Sequence, residues 1–408
     1  MRLLISSILG AATLGIATLA GPASAADPSA TKALPGKVQL QFRLRTEAVE
    51  EDGFASDAQA TTLRTRLTWS SPGWRGWKAT AEFDDIRALD ADAYNSTVNG
   101  PTARPVVADP VGTELNRAVL EWKHPRLDLA VALGRQRLAL DNQRFIGNVA
   151  WRQNEQTVDG ASLRWHATKR VELTAAWVTN VNRVYGPRSG TQSADWHGDS
   201  AILHGKADIG RFGTLAAFWH GLDFDNSPST SVATTGVLWS GTARTASGWR
   251  LPWSASFATQ RDYGRNPSDY SAHYRQLELG VGRGPATVKV GFESLGGDPT
   301  RPNRRFQTPL ATLHAFQGWA DKFVATPPQG IDDRYVTIEA TLRGYTALVG
   351  WHDFRAESLD RAFGQEWNLS VSRKFGDRYE LLGKLADYRA DGFATDTRKA
   401  WLMLAVNL

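Results

Sequence analysis

The amino-acid sequence predicts an all-β chain: a transmembrane antiparallel β-barrel of the outer-membrane type, with about 18 strands. Three observations carry the expectation. Apolar and polar residues alternate with a period of two along many segments. The connections between those segments alternate between short and long. Tryptophans gather at the ends of the segments, on the apolar side.

The alternation starts in KVQLQFRLRTEA, where Val38, Leu40, Phe42 and Leu44 share one face and Gln39, Gln41, Arg43 and Arg45 share the other. In TTLRTRLTW, Leu63, Leu67 and Trp69 oppose Arg64 and Arg66. RLDLAVALG, RVELTAAWV, GTLAAFWHG, ATVKVGFES, YVTIEATLR and WNLSVSR repeat the pattern. Such alternation describes strands with unlike faces. The runs are longer than the usual five or six residues, and ~9–11 residues is what a tilted strand needs to cross a bilayer.

Eight connections are short: SSPGWRG, KHPR, ATKR, IGRF, GTARTASG, GRGP, RG and FGDR. Nine are long, centred on residues 49–58, 86–112, 136–156, 180–199, 222–231, 262–271, 295–332, 355–364 and 390–396. Eighteen strands with both termini on one side require that tally, and outer-membrane barrels place short turns in the periplasm and long loops outside. A soluble sandwich or propeller does not account for it. Trp69, Trp77, Trp122, Trp165, Trp239 and Trp253 then fall at periplasmic strand ends, and Trp177, Trp219, Trp351 and Trp367 at external ends. These form the two aromatic girdles of such a barrel. The last strand, TRKAWLMLAVNL, turns Ala400, Leu402, Leu404, Val406 and Leu408 outward. It ends on Leu408 where these barrels usually end on an aromatic residue.

Residues 1–25 read as a signal peptide: Arg2, an apolar run from Leu3 to Ala20, and Ala23-Ser24-Ala25 in small-x-small form, with cleavage expected after Ala25. Residues 26–408 then form a single barrel with a short leading tail, exported to the outer membrane of a Gram-negative cell. No later run is long enough for a spanning helix. The chain has no cysteine, which excludes disulfides, thiolate metal sites and a cysteine nucleophile. Its basic residues are mostly arginine, which holds carboxylate or phosphate bidentately. Nucleic acid is not an expected partner of an exported chain. Gly198-Asp199-Ser200 is similar to an esterase nucleophile block, but its surroundings do not match. No phosphate loop or metal-ligand spacing is present. The expectation is a non-enzyme without metal or cofactor.

Three features bear on function. Arg43, Arg45, Arg64 and Arg66 form a basic patch on adjacent strands, with Arg164 pointing inward farther round. Such patches select anions in pores, while barrel arginines also pair with wall carboxylates, here Glu82, Asp84 or Glu121. Both readings are compatible. The second feature is GRQRLALDNQRFIGNVAWRQNEQTVDG, Gly134 to Gly160. It reads as the end of strand five, a long polar loop and the start of strand six. Folded inward, it would make Arg135, Arg137, Arg144 and Arg152 constriction residues; folded outward, they would meet lipopolysaccharide phosphates. Phe145, Ile146, Val149 and Trp151 favour packing against a wall. The third is FQTPLATLHAFQGWADKF, residues 306–323. Thr308 as cap, Pro309 at the first position and Leu313, Phe316, Ala320 and Phe323 at helical spacing predict a short amphipathic helix. It would gate the pore through Phe306, His314, Trp319 and Asp321, or lie as a lid on the rim.

The stretches GRQRLALDNQRFIGNVAWRQNEQTVDGASLRW, FQTPLATLHAFQGWADKF and YRADGFATDTRKAWL resemble the alginate-export family of outer-membrane porins, and the resemblance covers essentially all of the chain after its first 25 residues. It implies an 18-stranded monomeric barrel. It also implies an Arg-rich lumen passing an acidic solute or polysaccharide, with Arg135, Arg137, Arg144 and Arg152 as the electropositive constriction. The expected activity is passive diffusion of hydrophilic, anionic solutes. The alternative is secretion of an acidic polysaccharide such as alginate with periplasmic partners. Expected contacts are outer-membrane lipid, lipopolysaccharide and the barrel-assembly machinery.

Overall fold

The structure, a computed structural model, describes residues 36–301 and 303–408. The signal peptide and most of the expected leading tail lie outside the described residues.

Strands alternate inward and outward side chains, so a long strand with one apolar face is stable only when that face meets lipid and the other meets a polar interior. The chain forms eighteen such strands: β1 (Lys37–Glu51), β2 (Ala58–Ser70), β3 (Trp77–Ala88), β4 (Gly112–Lys123), β5 (Leu129–Gln136), β6 (Thr157–Thr168), β7 (Val171–Asn182), β8 (Asp195–Asp208) and β9 (Thr214–Leu222) come first. They are followed by β10 (Val232–Arg244), β11 (Arg250–Asp262), β12 (Ser271–Arg283), β13 (Ala286–Leu295), β14 (Ile331–Leu342), β15 (Tyr345–Arg355), β16 (Ala362–Phe375), β17 (Tyr379–Ala390) and β18 (Thr397–Asn407). Each pairs antiparallel with its neighbours in sequence, and β18 pairs back onto β1 from Gln41↔Asn407 to Glu51↔Thr397. Closure leaves no open edge, the condition for a sheet in hydrocarbon.

The faces sort as the alternation predicts. Leu44 is 43% exposed and its neighbour Arg45 is 0% exposed: on β1 the apolar side chain looks outward and the charged one is covered inside. At the short-turn end Trp77 and Trp122 lie 6.2 Å apart, and Trp239 and Trp253 5.8 Å apart. At the opposite end Trp177 and Trp367 are exposed. The non-aromatic terminus does not disturb closure: Leu408 N–H donates to the Leu40 carbonyl at 2.8 Å and Leu40 N–H to the Leu408 carbonyl at 3.2 Å.

The expected helix over residues 306–323 is absent. Leu313–Ala315 makes one 3₁₀ turn, and the rest is irregular. Competing partners explain the difference. Thr308 Oγ1 accepts from Arg144 Nη1 at 3.0 Å instead of capping. Leu310 forms a bridge with Ile146, and Thr312 N–H donates to the Gln143 carbonyl at 3.0 Å. Gln317, Gly318 and Asp321 have φ of 56°, 80° and 61°, which no α-helix accommodates. A Cβ at residue 318 would collide with the Glu366 carboxylate, so glycine there admits Glu366 to the loop backbone. Tertiary bonds thus overrode the local helical pattern.

A candidate channel lumen filled by inward-folded loops

Three connections from the long-loop end turn into the barrel: residues 89–111, 137–156 and 296–330. Each is tied by hydrogen bonds and charge, and an apolar cluster inside the barrel packs Ile146, Leu310 and Phe323 with the wall residues Ile202, Phe218 and Phe354. Segment 137–156 leaves β5 and crosses to β1. Arg43 Nε donates to Gln153 Oε1 at 2.9 Å and its Nη1 to the Ala150 carbonyl at 2.8 Å. Arg45 donates to the Trp151 carbonyl and to Glu47, both at 2.5 Å, and its guanidinium lies 4.4 Å from the Trp151 ring centroid. Arg64 donates to Gln41 and to the Gln153 carbonyl.

Arg66 forks onto Asp84 at 2.7 and 2.6 Å and reaches Glu155 at 3.1 Å. Arg137 pairs with Glu82 and Glu155. Across the lumen, Arg144 pairs with Glu293 on β13 at 2.6 Å. Arg152 joins Glu47 and Asp321, each at 3.1 Å. These inward arginines are therefore bonded to loop carbonyls and to carboxylates of the wall and the loops: they fasten the loop and do not stand free in water. Arg164 lies on the lumen face of β6, exposed and without an ion pair among the described residues.

Arg135 is a correction. Along β5, Val131, Leu133 and Arg135 share the outer face, while Ala132, Gly134 and Gln136 look inward. The Arg135 guanidinium pairs with Asp159, also on the outer face, at 2.7 Å and donates to the Leu115 carbonyl at 2.9 Å. Strand alternation alone decides this, since Arg135 is still inside β5 and not in the loop. Arg135→Ala is accordingly expected to leave ion selectivity unchanged, as read from the reversal potential across a salt gradient.

Segment 296–330 packs on the wall at β11, β12 and β15–β18 and on segment 137–156. Phe306 is buried against Tyr274 and Phe145, at ring-centroid distances of 5.5 and 6.2 Å. His314 stacks on Trp151 at 4.7 Å and 3°. Burial pushes the His314 imidazole down to about 3, against the pull of Asp321, so the ring is neutral at neutral pH. A neutral ring has one donor and one acceptor. Nδ1–H donates to Asp321 at 2.7 Å, and Nε2 accepts from Lys384 Nζ at 2.7 Å. Lys384 also lies 3.6 Å from the Trp319 ring centroid. Asp321 receives Arg152, Lys399 and His314 together, and Glu366 accepts from the backbone N–H groups of Trp319 and Ala320.

Several partners have weak signals in the sequence. Glu47 shares the parity of Arg43 and Arg45, and Lys399 that of Trp401, so period two could have placed them inside. Asp109, which accepts from Gln153 N–H at 2.8 Å, sits in an irregular loop without such a signal. Glu293, Glu366 and Lys384 face inward by parity, but their loop partners are distant in sequence.

On the far side of the lumen, under the loops, lies an open cavity of about 950 Å³. Its wall comes from β8–β16 and its roof from Ala315, Phe316, Gln317 and Trp319. Lys289 pairs with Glu278 at 2.9 Å, and Glu293 is held by Arg144. Asp141 and Asp333 are hydrogen-bonded to His204 and His352, at 2.8 and 2.9 Å. Lys206, Arg244 and Arg250 face the same space from the short-turn end without a carboxylate within ion-pair distance among the described residues, as does Glu339 without a cation.

A closed 18-stranded barrel with an apolar outer band, aromatic girdles and a charged, loop-filled interior defines a porin-type channel of the outer membrane. The chain belongs to the Alginate export family, whose model matches residues 35–276. Solved structures agree with the fold. Pseudomonas aeruginosa OccK9 (OpdG) is 15% identical, with 91% of this chain and 98% of that chain covered and a TM-score of 0.70. Acinetobacter baumannii OccAB2 is 13% identical over the same shares, with a TM-score of 0.70. Pseudomonas aeruginosa OpdK, solved with vanillate, is 13% identical over the same shares, with a TM-score of 0.67. No curated protein matches the sequence.

Proposed function

We propose that the protein is a passive outer-membrane channel for small hydrophilic solutes, with a preference for anions. The observation that carries the preference is the cavity on β8–β16, where Lys206, Arg244 and Arg250 stand without carboxylate partners at the short-turn end beside Glu339, while Asp141 and Asp333 are each hydrogen-bonded to a histidine. The expected arginine constriction contributes less, because Arg45, Arg66, Arg137, Arg144 and Arg152 are already neutralised by carboxylates. A fixed charge acts on a passing ion only to the extent that it is not cancelled nearby. Vanillate, the small carboxylate with which OpdK was solved, is the class of solute this reading favours.

The test is the reversal potential of the purified channel in a planar bilayer. A unit charge about 8 Å from the permeating ion contributes ~0.5 kcal/mol in water, a factor of about two. Each charge acts on anion and cation with opposite sign, so Lys206→Gln/Arg244→Gln/Arg250→Gln is expected to lower the anion-to-cation permeability ratio by roughly ten- to a hundredfold at low salt, and by less at high salt. An unchanged ratio in the triple variant, or cation preference in the unaltered protein, rejects the proposal.

The family's description favours a second reading, export of an acidic polysaccharide. The three inward loops occupy much of the lumen, so this reading needs them to move. Oligouronates added on the short-turn side would then block the current in long events, whereas monomeric uronate would not.

A further inference from the structure

The outer face of the barrel carries a belt of ionisable side chains at the long-loop end. Round most of it each guanidinium has its carboxylate. Arg87 pairs with Asp85 at 2.7 Å, Arg135 with Asp159 at 2.7 Å, Arg389 with Asp387 at 3.0 Å and Arg398 with Asp387 at 3.6 Å. Between β11 and β14 the pattern fails. Arg261, Arg275 and Arg334 are exposed and make neither an ion pair nor a side-chain hydrogen bond among the described residues. Asp353, directly opposite Arg334 on β15, is occupied by Arg355 at 3.6 Å.

The unpartnered arginines sit at the border of the apolar band. Arg275 lies opposite Phe257, and Arg334 opposite Phe292. The next outward residues toward the short-turn end are Leu277 and Val290, 50% and 53% exposed. Above Arg275 a recess of about 210 Å³ is lined by His273, Arg304, Ser271 and Ser294. Asp298 and Glu357 also line it; Asp298 accepts from Thr300 N–H and Oγ1 at 2.9 and 2.6 Å.

We propose that this face binds the phosphorylated headgroup of an outer-leaflet glycolipid, with Arg261, Arg275 and Arg334 holding its phosphates. Guanidinium forks take phosphate bidentately, and basic sites beside an apolar surface take lipid headgroups while the acyl chains cover that surface. With strands ~4.8 Å apart and ~3.4 Å per residue along them, Arg275 and Arg334 lie about 12 Å apart, and Arg261, four residues nearer the loops on the neighbouring strand, lies about 14 Å from Arg275. That is wider than one phosphodiester, and it suits a headgroup carrying more than one phosphate. The long-loop end places the site at the external leaflet.

The test is lipid binding to the detergent-purified full-length protein, read by native mass spectrometry. The probes are bis-phosphorylated lipid A, its dephosphorylated form, phosphatidylglycerol and inorganic phosphate. Lipid A is expected to bind, and Arg261→Gln/Arg275→Gln/Arg334→Gln to weaken it about tenfold or more. Arg87→Gln/Arg389→Gln, which removes arginines already paired, is expected to leave it unchanged. Unaltered single-channel conductance establishes that a variant is folded, and Arg275→Gln alone serves if the triple variant is not. Equal binding by the triple variant or by dephosphorylated lipid A overturns the site. Equal binding by phosphatidylglycerol, or full competition by inorganic phosphate, overturns the glycolipid as its occupant. None of these outcomes bears on Lys206, Arg244 and Arg250 at the other end.

Discussion

Asp321→Ala is expected to raise single-channel conductance and make the current noisier, because it releases the inner part of segment 296–330. Asp321 is the one carboxylate shared by Arg152 at 3.1 Å, Lys399 at 3.0 Å and His314 at 2.7 Å. Removing it leaves these groups buried with one partner fewer. Breaking a buried ion pair from one side costs about 3–5 kcal/mol, a factor of roughly 10²–10⁴ in the population of the detached loop. The loop keeps its other anchors: Phe323 against Phe354 at 4.5 Å between ring centroids, and the Leu310–Ile146 bridge. Detachment is therefore local. Backbone N–H groups of Trp319 and Ala320, now bonded to Glu366, should exchange with solvent faster by a similar factor. Asp321→Asn retains a hydrogen-bond acceptor for His314 and should fall between the two. Wild-type conductance together with wild-type exchange in Asp321→Ala would show that this carboxylate does not hold the loop.

Acidification is expected to loosen segment 137–156. Burial pushes the Glu155 carboxyl up, but Arg66 and Arg137 more than offset it and hold it down at about 2, against an ordinary value of 4.5. For Asp321 the same balance of burial against His314, Lys399 and Arg152 also ends well below the usual carboxylate range. A carboxyl whose pKa is lowered by folding stabilises the bound state above its unfolded value, and that contribution is lost as pH falls through the folded value. For Glu155 the window runs from about 4.5 down to about 2, and the contribution is ~3 kcal/mol. Conductance should be flat from neutral pH to about 4.5 and rise below it. Glu155→Gln, which cannot charge, should show part of that rise already at pH 7. A flat profile down to pH 2, with the barrel still folded, would mean that charge does not hold this loop.

Much of the barrel was legible in advance. Alternation in β1 and β2 identified which side chains face inward, and short and long connections gave the orientation. Those signals are local and repeated. They survive because lipid on one side and polar surface on the other demand opposite chemistry at every second residue. Arg135 shows the same rule applied too loosely: its parity with Leu133 puts it on the outer wall. The loops were legible only in part. The polarity and aromatic content of Gly134–Gly160 pointed to inward packing, but which arginine meets which carboxylate depends on approaches such as Arg144 to Glu293 and Arg152 to Asp321, 149 and 169 residues apart.

Segment 306–323 marks the boundary between the two kinds of information. Its helical spacing was real in the sequence, yet Arg144, Gln143, Ile146 and Glu366 offer its polar groups better partners than its own backbone does. The sequence by itself determined the strands, their faces and the direction of the chain, because each rests on a solvent preference felt residue by residue. Only the tertiary structure decided that Arg45, Arg66, Arg137, Arg144 and Arg152 meet carboxylates, whereas Lys206, Arg244 and Arg250, like Arg164, have none within ion-pair distance among the described residues. A charge is cancelled by whatever folds within a few ångströms of it, and that is a property of the closed barrel, not of any one stretch.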